Sequence, residues 1–155
     1  MQSSPHYDAV LDKQLRLIVA CYQQLTGRAL IADVPSDILA LRGAVWNAPR
    51  AIVAHGCEDD PIFFYGNRKA LLLFEMDFDE FTRLPSHLSA EPMAQEERVK
   101  LLNKVARQGY VDGYSGIRIA KSGRRFIITG ATVWNLFDRD GGYHGQAAVF
   151  VEQPA

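Results

Sequence analysis

Apolar residues recur at steps of four and three near the start of the chain, at Leu11, Leu15, Ile18, Tyr22 and Leu25. That spacing lays one apolar stripe along a helix. The helix is predicted to begin near Ser4 and Pro5, a capping residue before a first-turn proline. It is predicted to stop at Gly27, which suits a left-handed C-terminal cap. A short second helix is expected over residues 36–41, before Gly43, Asn47 and Pro49 break the pattern. Residues 51–55 and 62–65 are rich in β-branched and aromatic side chains and read as strands, joined as a hairpin by the acidic turn at 56–61. Helical spacing returns at 68–75, where Ala70, Leu71, Leu73 and Phe74 supply apolar surface. Asp77 with Glu80 has the spacing of a capping box ahead of a short helix through Phe81 and Leu84. A longer helix is expected from Pro92 to Gly109, with Leu101, Leu102 and Val105 as its apolar stripe and Glu96, Glu97, Arg98 and Lys100 as its wet face. Three strands at 114–120, 125–137 and 143–152, with turns at 121–123 and 138–142, complete an antiparallel meander.

The long strand carries apolar residues at both parities. Phe126, Ile128, Trp134 and Leu136 share one, and Ile127, Ala131, Val133 and Phe137 the other. Both faces of the sheet are therefore expected to be covered. The middle helices suit one face, and the N-terminal helix, or a second subunit, the other.

The composition fits one globular domain. The chain has 155 residues, 48% hydrophobic and 23% charged, and a net charge of -1. That balance gives neither the basic surface of a nucleic-acid binder nor a polybasic membrane anchor. No apolar run approaches the ~20 residues of a membrane span, and residues 1–8 lack the basic start and apolar stretch of a signal peptide. Cys21 and Cys57 have no CxxC spacing and read as reduced thiols. The expected location is the cytoplasm.

The element order is two strands, short helices, a longer helix, then three strands, which resembles a PAS domain. So does Ile62-Phe63-Phe64-Tyr65-Gly66-Asn67 followed by Ala70, Leu73-Phe74 and Asp79-Glu80-Phe81. A closer resemblance rests on Tyr65-Gly66-Asn67-Arg68-Lys69-Ala70-Leu71, Leu72, Phe74-Glu75-Met76, Leu84-Pro85-Ser86, Ser89-Ala90-Glu91-Pro92, Tyr114-Ser115-Gly116-Ile117-Arg118, Lys121-Ser122-Gly123-Arg124-Arg125-Phe126 and Val133-Trp134-Asn135-Leu136. In these runs the chain resembles the MEKHLA family, from the first helix to Phe150. The resemblance implies a PAS-like module, known at the C-terminus of certain plant homeodomain–leucine zipper regulators and as free-standing bacterial proteins. With no homeodomain or zipper, this sequence looks like the free-standing kind. A sensory or interaction role is implied, and no ligand.

The flavin photosensors among PAS domains need a reactive cysteine in the loop before the long helix. Leu84-Pro85-Ser86-His87-Leu88-Ser89 has none, which argues against adduct chemistry there and leaves simple flavin binding open. The long helix carries no histidine for haem, and His87 alone is a weak ligand. His55-Gly56-Cys57-Glu58-Asp59-Asp60 reads as a solvated acidic turn rather than a metal site, and Asp138-Arg139-Asp140-Gly141 as a hairpin turn rather than a calcium loop. No catalytic motif is present, although His55 and His144 both fall on predicted strands and could meet. Tyr114, Arg118, Trp134, Asn135 and Gln146 fall on the three C-terminal strands and mix aromatic with polar character, as ligand pockets do. Arg118 can pair a carboxylate or phosphate.

The expectation is thus an α+β, PAS-like domain. It has a five-stranded antiparallel sheet with helices on one face, over residues 49–155, and an N-terminal helical extension over 1–48. It is expected to bind a small molecule between sheet and helices through Tyr114, Arg118, Trp134, Asn135 and Gln146, and to signal to a separate output protein. The alternative is a protein-interaction or dimerisation module with a filled core, joined through Leu11, Leu15, Ile18 and Tyr22 as a helix–helix seam. No metal and no catalytic residue is assigned. The cofactor is unknown.

Overall fold

The computed structural model describes residues 4–90 and 92–153, with the backbone alone at 92–95. Glu91, within one of the resemblance runs, lies outside the described residues. The first helix, α1, spans Ala9–Thr26. It starts later than the Ser4-Pro5 signal suggests, because Asp8 is the cap and its carboxylate accepts the Leu11 amide at 2.8 Å. Gly27 ends α1 at φ 73°. The second helix, α2, spans Ile38–Trp46, capped by Asp37, and runs through Gly43 where a break was expected. The hairpin strands are β1 (Ala51–His55) and β2 (Phe63–Gly66). Then come α3 (Arg68–Phe74), α4 (Phe78–Phe81) with both halves of the Asp77–Glu80 capping box formed, a single 3₁₀ turn at Ser86–Ser89, and α5 (Pro92–Gln108). The last strands are β3 (Tyr110–Ile119), β4 (Arg125–Phe137) and β5 (Tyr143–Glu152).

The sheet is antiparallel with the order β2-β1-β5-β4-β3. β1 and β5 are central neighbours although they lie at opposite ends of the domain's sequence. Asn67 fastens the β1–β2 hairpin to α3. Wholly buried, it accepts from the amides of Ile52 and Ala70 and donates to the carbonyls of Val45 and Arg50. All four of its hydrogen-bonding positions are used, so it caps α3 and locks β1 at once.

α1 lies on one face of the sheet. Leu15 and Ile18 have no exposed surface, and Tyr22 meets the Trp134 ring edge-on at 4.8 Å. The Trp134 Nε1 donates to the carbonyl of Ile18 at 3.2 Å. Arg42 of α2 holds α1 through a paired contact with Asp12, at 2.8 and 2.6 Å. Residues on both sides of position 48 share this core, which joins the N-terminal helices to the sheet in packing. It also corrects the proposed helix seam. Leu11, Leu15, Ile18 and Tyr22 are spent on the chain's own sheet, and a partner could reach them only if α1 left it.

Helices α3 to α5 cover the opposite face. There Phe63 stacks on Phe81 at 4.3 Å, and Phe74 sits edge-on to Phe126 at 5.1 Å. Both faces of β4 are covered from Ala131 to Leu136, whereas before the bulge one face is open and Ile127 is exposed, and the cover does not follow the parity first assigned. The pairing with β5 shifts register between Thr129 and Thr132, around Gly130 at φ 60°. A bulge of this kind transposes the two faces of a strand. Phe126 and Ile128 point to α3, whereas Trp134 and Leu136, at the same parity, point to α1.

Candidate functional site

Between the sheet and α5 lies a cavity of about 60 Å³. Its walls are largely apolar, with Phe63, Phe74, Leu101, Ile128 and Phe150 among them. Its polar lining is unusual in one respect: it holds two arginines, Arg98 from α5 and Arg118 from β3, only 7% and 8% exposed. Helical spacing brings Arg98 there. It stands three residues before Leu101 and seven before Val105, on the stripe that faces the sheet. Its assignment to the wet face of the helix is therefore corrected.

Among the described residues, the hydrogen-bond partners of these two arginines are neutral. Arg98 donates to Ser86 Oγ at 2.5 Å, and Ser86 is itself wholly buried. Arg118 donates to the carbonyl of Ile117 at 2.9 Å and lies 5.6 Å from the centre of the Tyr114 ring. Among the described residues, neither has a carboxylate within ion-pair distance, although Arg28, Arg42 and Arg124 each do. Burial, and next the nearby charge of Arg118, pull the Arg98 guanidinium down to about 10. It stays charged at neutral pH, and the more distant carboxylate of Asp60 offsets its burial only in part.

His55 forms a further part of the wall. It is 8% exposed at the end of β1. Its Nδ1 lies 2.9 Å from the Gly56 carbonyl, which can only accept, so the proton sits on Nδ1. Burial lowers its pKa and keeps the ring neutral. Its Nε2 then carries a lone pair, and that atom is buried without a hydrogen-bond partner. Gln146, directly opposite His55 in the β1–β5 register, donates to Asn135 Oδ1 at 3.0 Å. Asn135 in turn donates to the Val105 carbonyl of α5.

Two glycines make room for these groups. A Cβ at Gly116 would meet the Tyr114 hydroxyl at 2.5 Å and Arg118 Nη1 at 3.1 Å. A Cβ at Gly145, where φ is 120°, would meet the His55 carbonyl oxygen at 2.0 Å.

Of the five expected ligand residues, Tyr114, Arg118 and Gln146 line the cavity. Asn135 stands behind Gln146 and positions it. Trp134 lies on the other face of the sheet, turned there by the bulge at Gly130, and the expectation for it is corrected. Arg98 and His55 were not expected here. The step from Leu101 back to Arg98 carried a signal for the first. No signal of sequence could place His55, whose role depends on pairing with β5. His144 does not join it: its Nε2 contacts Asp138 at 2.7 Å in the β4–β5 turn. His87 contacts Asp60 at the surface. Among the described residues no cluster of three or more His, Cys, Asp or Glu side chains could hold a metal.

The fold matches the PAS domain of a protein from Colwellia psychrerythraea with TM-score 0.65 and 17% identity, covering 76% of this chain and 98% of that one. A light-oxygen-voltage domain studied with a flavin analogue matches with TM-score 0.61 and 18% identity, over 74% of this chain and 85% of that one. The PAS domain of a LuxR-family transcriptional regulator from Burkholderia thailandensis, in complex with ethanol, matches with TM-score 0.58 and 16% identity, over 74% and 97%. These likenesses show a PAS fold. In sequence, the rice homeobox-leucine zipper proteins HOX10 and HOX9 (Oryza sativa subsp. indica) are 23% and 24% identical over 136 residues, 88% of this chain. The chain spans only 16% of those relatives' length. No described helix is long and apolar enough to cross a membrane. Residues 12–153, nearly the whole chain, match the model of the MEKHLA domain, and the chain belongs to the MEKHLA family.

Proposed function

We propose that this domain is a sensory module that binds a small molecule in the cavity between the sheet and α5 and passes the bound state to a separate signalling partner. The observation that carries this reading is the pair of buried arginines that, among the described residues, have no carboxylate within ion-pair distance. A core selected for stability alone pairs or excludes such charges, because an uncompensated buried guanidinium costs several kcal/mol. Polar groups converging on an apolar cavity are the usual make-up of a ligand site. The PAS domain from Burkholderia thailandensis, which holds ethanol, shows that a ligand in this fold can be that small. A flavin does not fit: about 60 Å³ is well below the ~150 Å³ that accommodates benzene. Neither Cys21 nor Cys57 lines the cavity.

An association role is favoured by a separate observation. Ile117, Ile127 and Val151 are exposed on strands β3 to β5, at 38%, 42% and 40%. One experiment tests both readings: native mass spectrometry of freshly purified protein. The sensory reading expects a mass above the 17.3 kDa chain that returns to the chain mass on denaturation. A bare, stable dimer overturns it in favour of association.

A further inference from the structure

The ligand's chemistry can be read from what the cavity lacks. Among the described residues it has two guanidinium groups with no carboxylate within ion-pair distance, a His55 Nε2 with no hydrogen-bond partner, and an apolar wall. We propose that the cavity holds a short organic carboxylate bearing a hydroxyl or N–H: its carboxylate is taken by Arg98 and Arg118, its donor by His55 Nε2, and its carbon body by the apolar wall. This rests on the small-molecule reading above and gives it a substrate class.

Each part of the class follows from a separate observation. The anion follows from the guanidiniums, whose planar forks match a carboxylate and whose hydrogen-bond partners among the described residues are neutral. The donor follows from the tautomer of His55. With the proton held on Nδ1 by the Gly56 carbonyl, Nε2 can only accept. The carbon body follows from Phe63, Phe74, Leu101 and Ile128, which give an inorganic anion such as phosphate nothing to bind. The size follows from the volume. At about 60 Å³, against ~150 Å³ for benzene, the body is about two to four carbons long. Gly116 supports the same reading, since its missing side chain leaves space for the ends of Tyr114 and Arg118.

The test uses the full chain and four probes: lactate, propionate, lactamide and inorganic phosphate. Thermal unfolding is followed as each is titrated. Lactate is expected to raise the melting temperature by about 5 °C or more at a hundredfold excess over its Kd. Propionate, lacking the donor, is expected to bind at least about 5-fold more weakly. Lactamide and phosphate are expected to leave the melting temperature unchanged. Arg118→Met should melt no lower than the parent when free, because it removes a buried charge, and should lose at least about 30-fold in lactate affinity. His55→Phe should abolish the preference for lactate over propionate.

A lactamide shift equal to that of lactate, or a shift with phosphate alone, overturns the carboxylate assignment and leaves a small-molecule site standing. No shift with either carboxylate also overturns it. The mass measurement then decides separately whether any small molecule is bound.

Discussion

On the α1 face of the sheet, Trp134, Leu136, Leu15 and Ile18 are wholly buried, and the one indole N–H among them is paired to the Ile18 carbonyl. On the α5 face, two guanidiniums and an imidazole are buried at nearly the same depth, around space that the side chains leave open. The same strands supply both faces. β5 sends Val149 to one and Gln146 to the other, and β4 changes sides midway. Among the described residues, the first face buries apolar side chains and carries no buried charge, and its one orphaned polar atom is the neutral Tyr65 hydroxyl. The second keeps charges that a core would neutralise. Both faces bury apolar clusters, and only the second adds charged groups that contribute nothing to its packing.

The largest expected effect tests the first face. Leu15→Asp places a carboxylate where there is no solvent and leaves a cavity beside Ile18 and Trp134. Stability should fall by at least about 4 kcal/mol in urea unfolding, a large share of the total for a domain of this size. A folded monomer with an unchanged midpoint would show that α1 is not part of this core, and the contrast between the faces would lose its uncharged half.

A pair of glycine substitutions sharpens the contrast within the second face. Gly145→Ala drives a Cβ into the His55 backbone carbonyl, at a residue whose φ of 120° already excludes most side chains. Backbone cannot give way cheaply, so a loss of about 2–4 kcal/mol is expected. Gly116→Ala meets only the ends of the Tyr114 and Arg118 side chains, which can swing. It should cost under about 1 kcal/mol yet displace Arg118 and remove most of the stabilisation by lactate. Melting curves with and without lactate separate the two variants. Equal stability losses would mean that the cavity groups are as tightly held as the core.

Much of this arrangement was legible in the sequence because it rests on local chemistry. The stripe of α1, the Asp77–Glu80 capping box, and the hairpin turns each follow from residues within one element or one turn. Local signals also explain why Tyr114, Arg118 and Gln146 could be singled out. Trp134 could not be placed, because one bulge at Gly130 turns the rest of β4 over and alternation has no way to announce it. Arg98 was hidden by its chemistry. A charged residue beside Glu96 and Glu97 reads as solvated, although its spacing from Leu101 and Val105 sets it on the inner stripe. His55 was hidden by topology, since β1 meets β5 only through pairing across most of the chain.

The smallest expected effect concerns that histidine and works through pH. Burial lowers the His55 pKa below 6.5 and Arg98 lowers it further, while the Gly56 carbonyl, the Glu58 carboxylate and the Gln146 side chain oppose them. The folded state therefore binds fewer protons than the unfolded chain once pH drops below 6.5. Stability from this group is full above that value, declines as pH falls through it, and stops declining when the folded ring itself protonates. The slope contributed by one such group cannot exceed about 1.4 kcal/mol per pH unit. The carboxyls of Asp112 and Asp138 act in a separate window. Both lie below 3.8 in the folded state, held down by Arg28 and His144 respectively, so their contribution is lost only as pH falls past that value. His55→Gln should thus be less sensitive than the parent to acid between these two windows, when unfolding midpoints are compared across pH. Parallel pH profiles would mean that the imidazole is solvated and free to protonate. The second face would then lose the neutral acceptor that sets it apart from a simple cationic pocket.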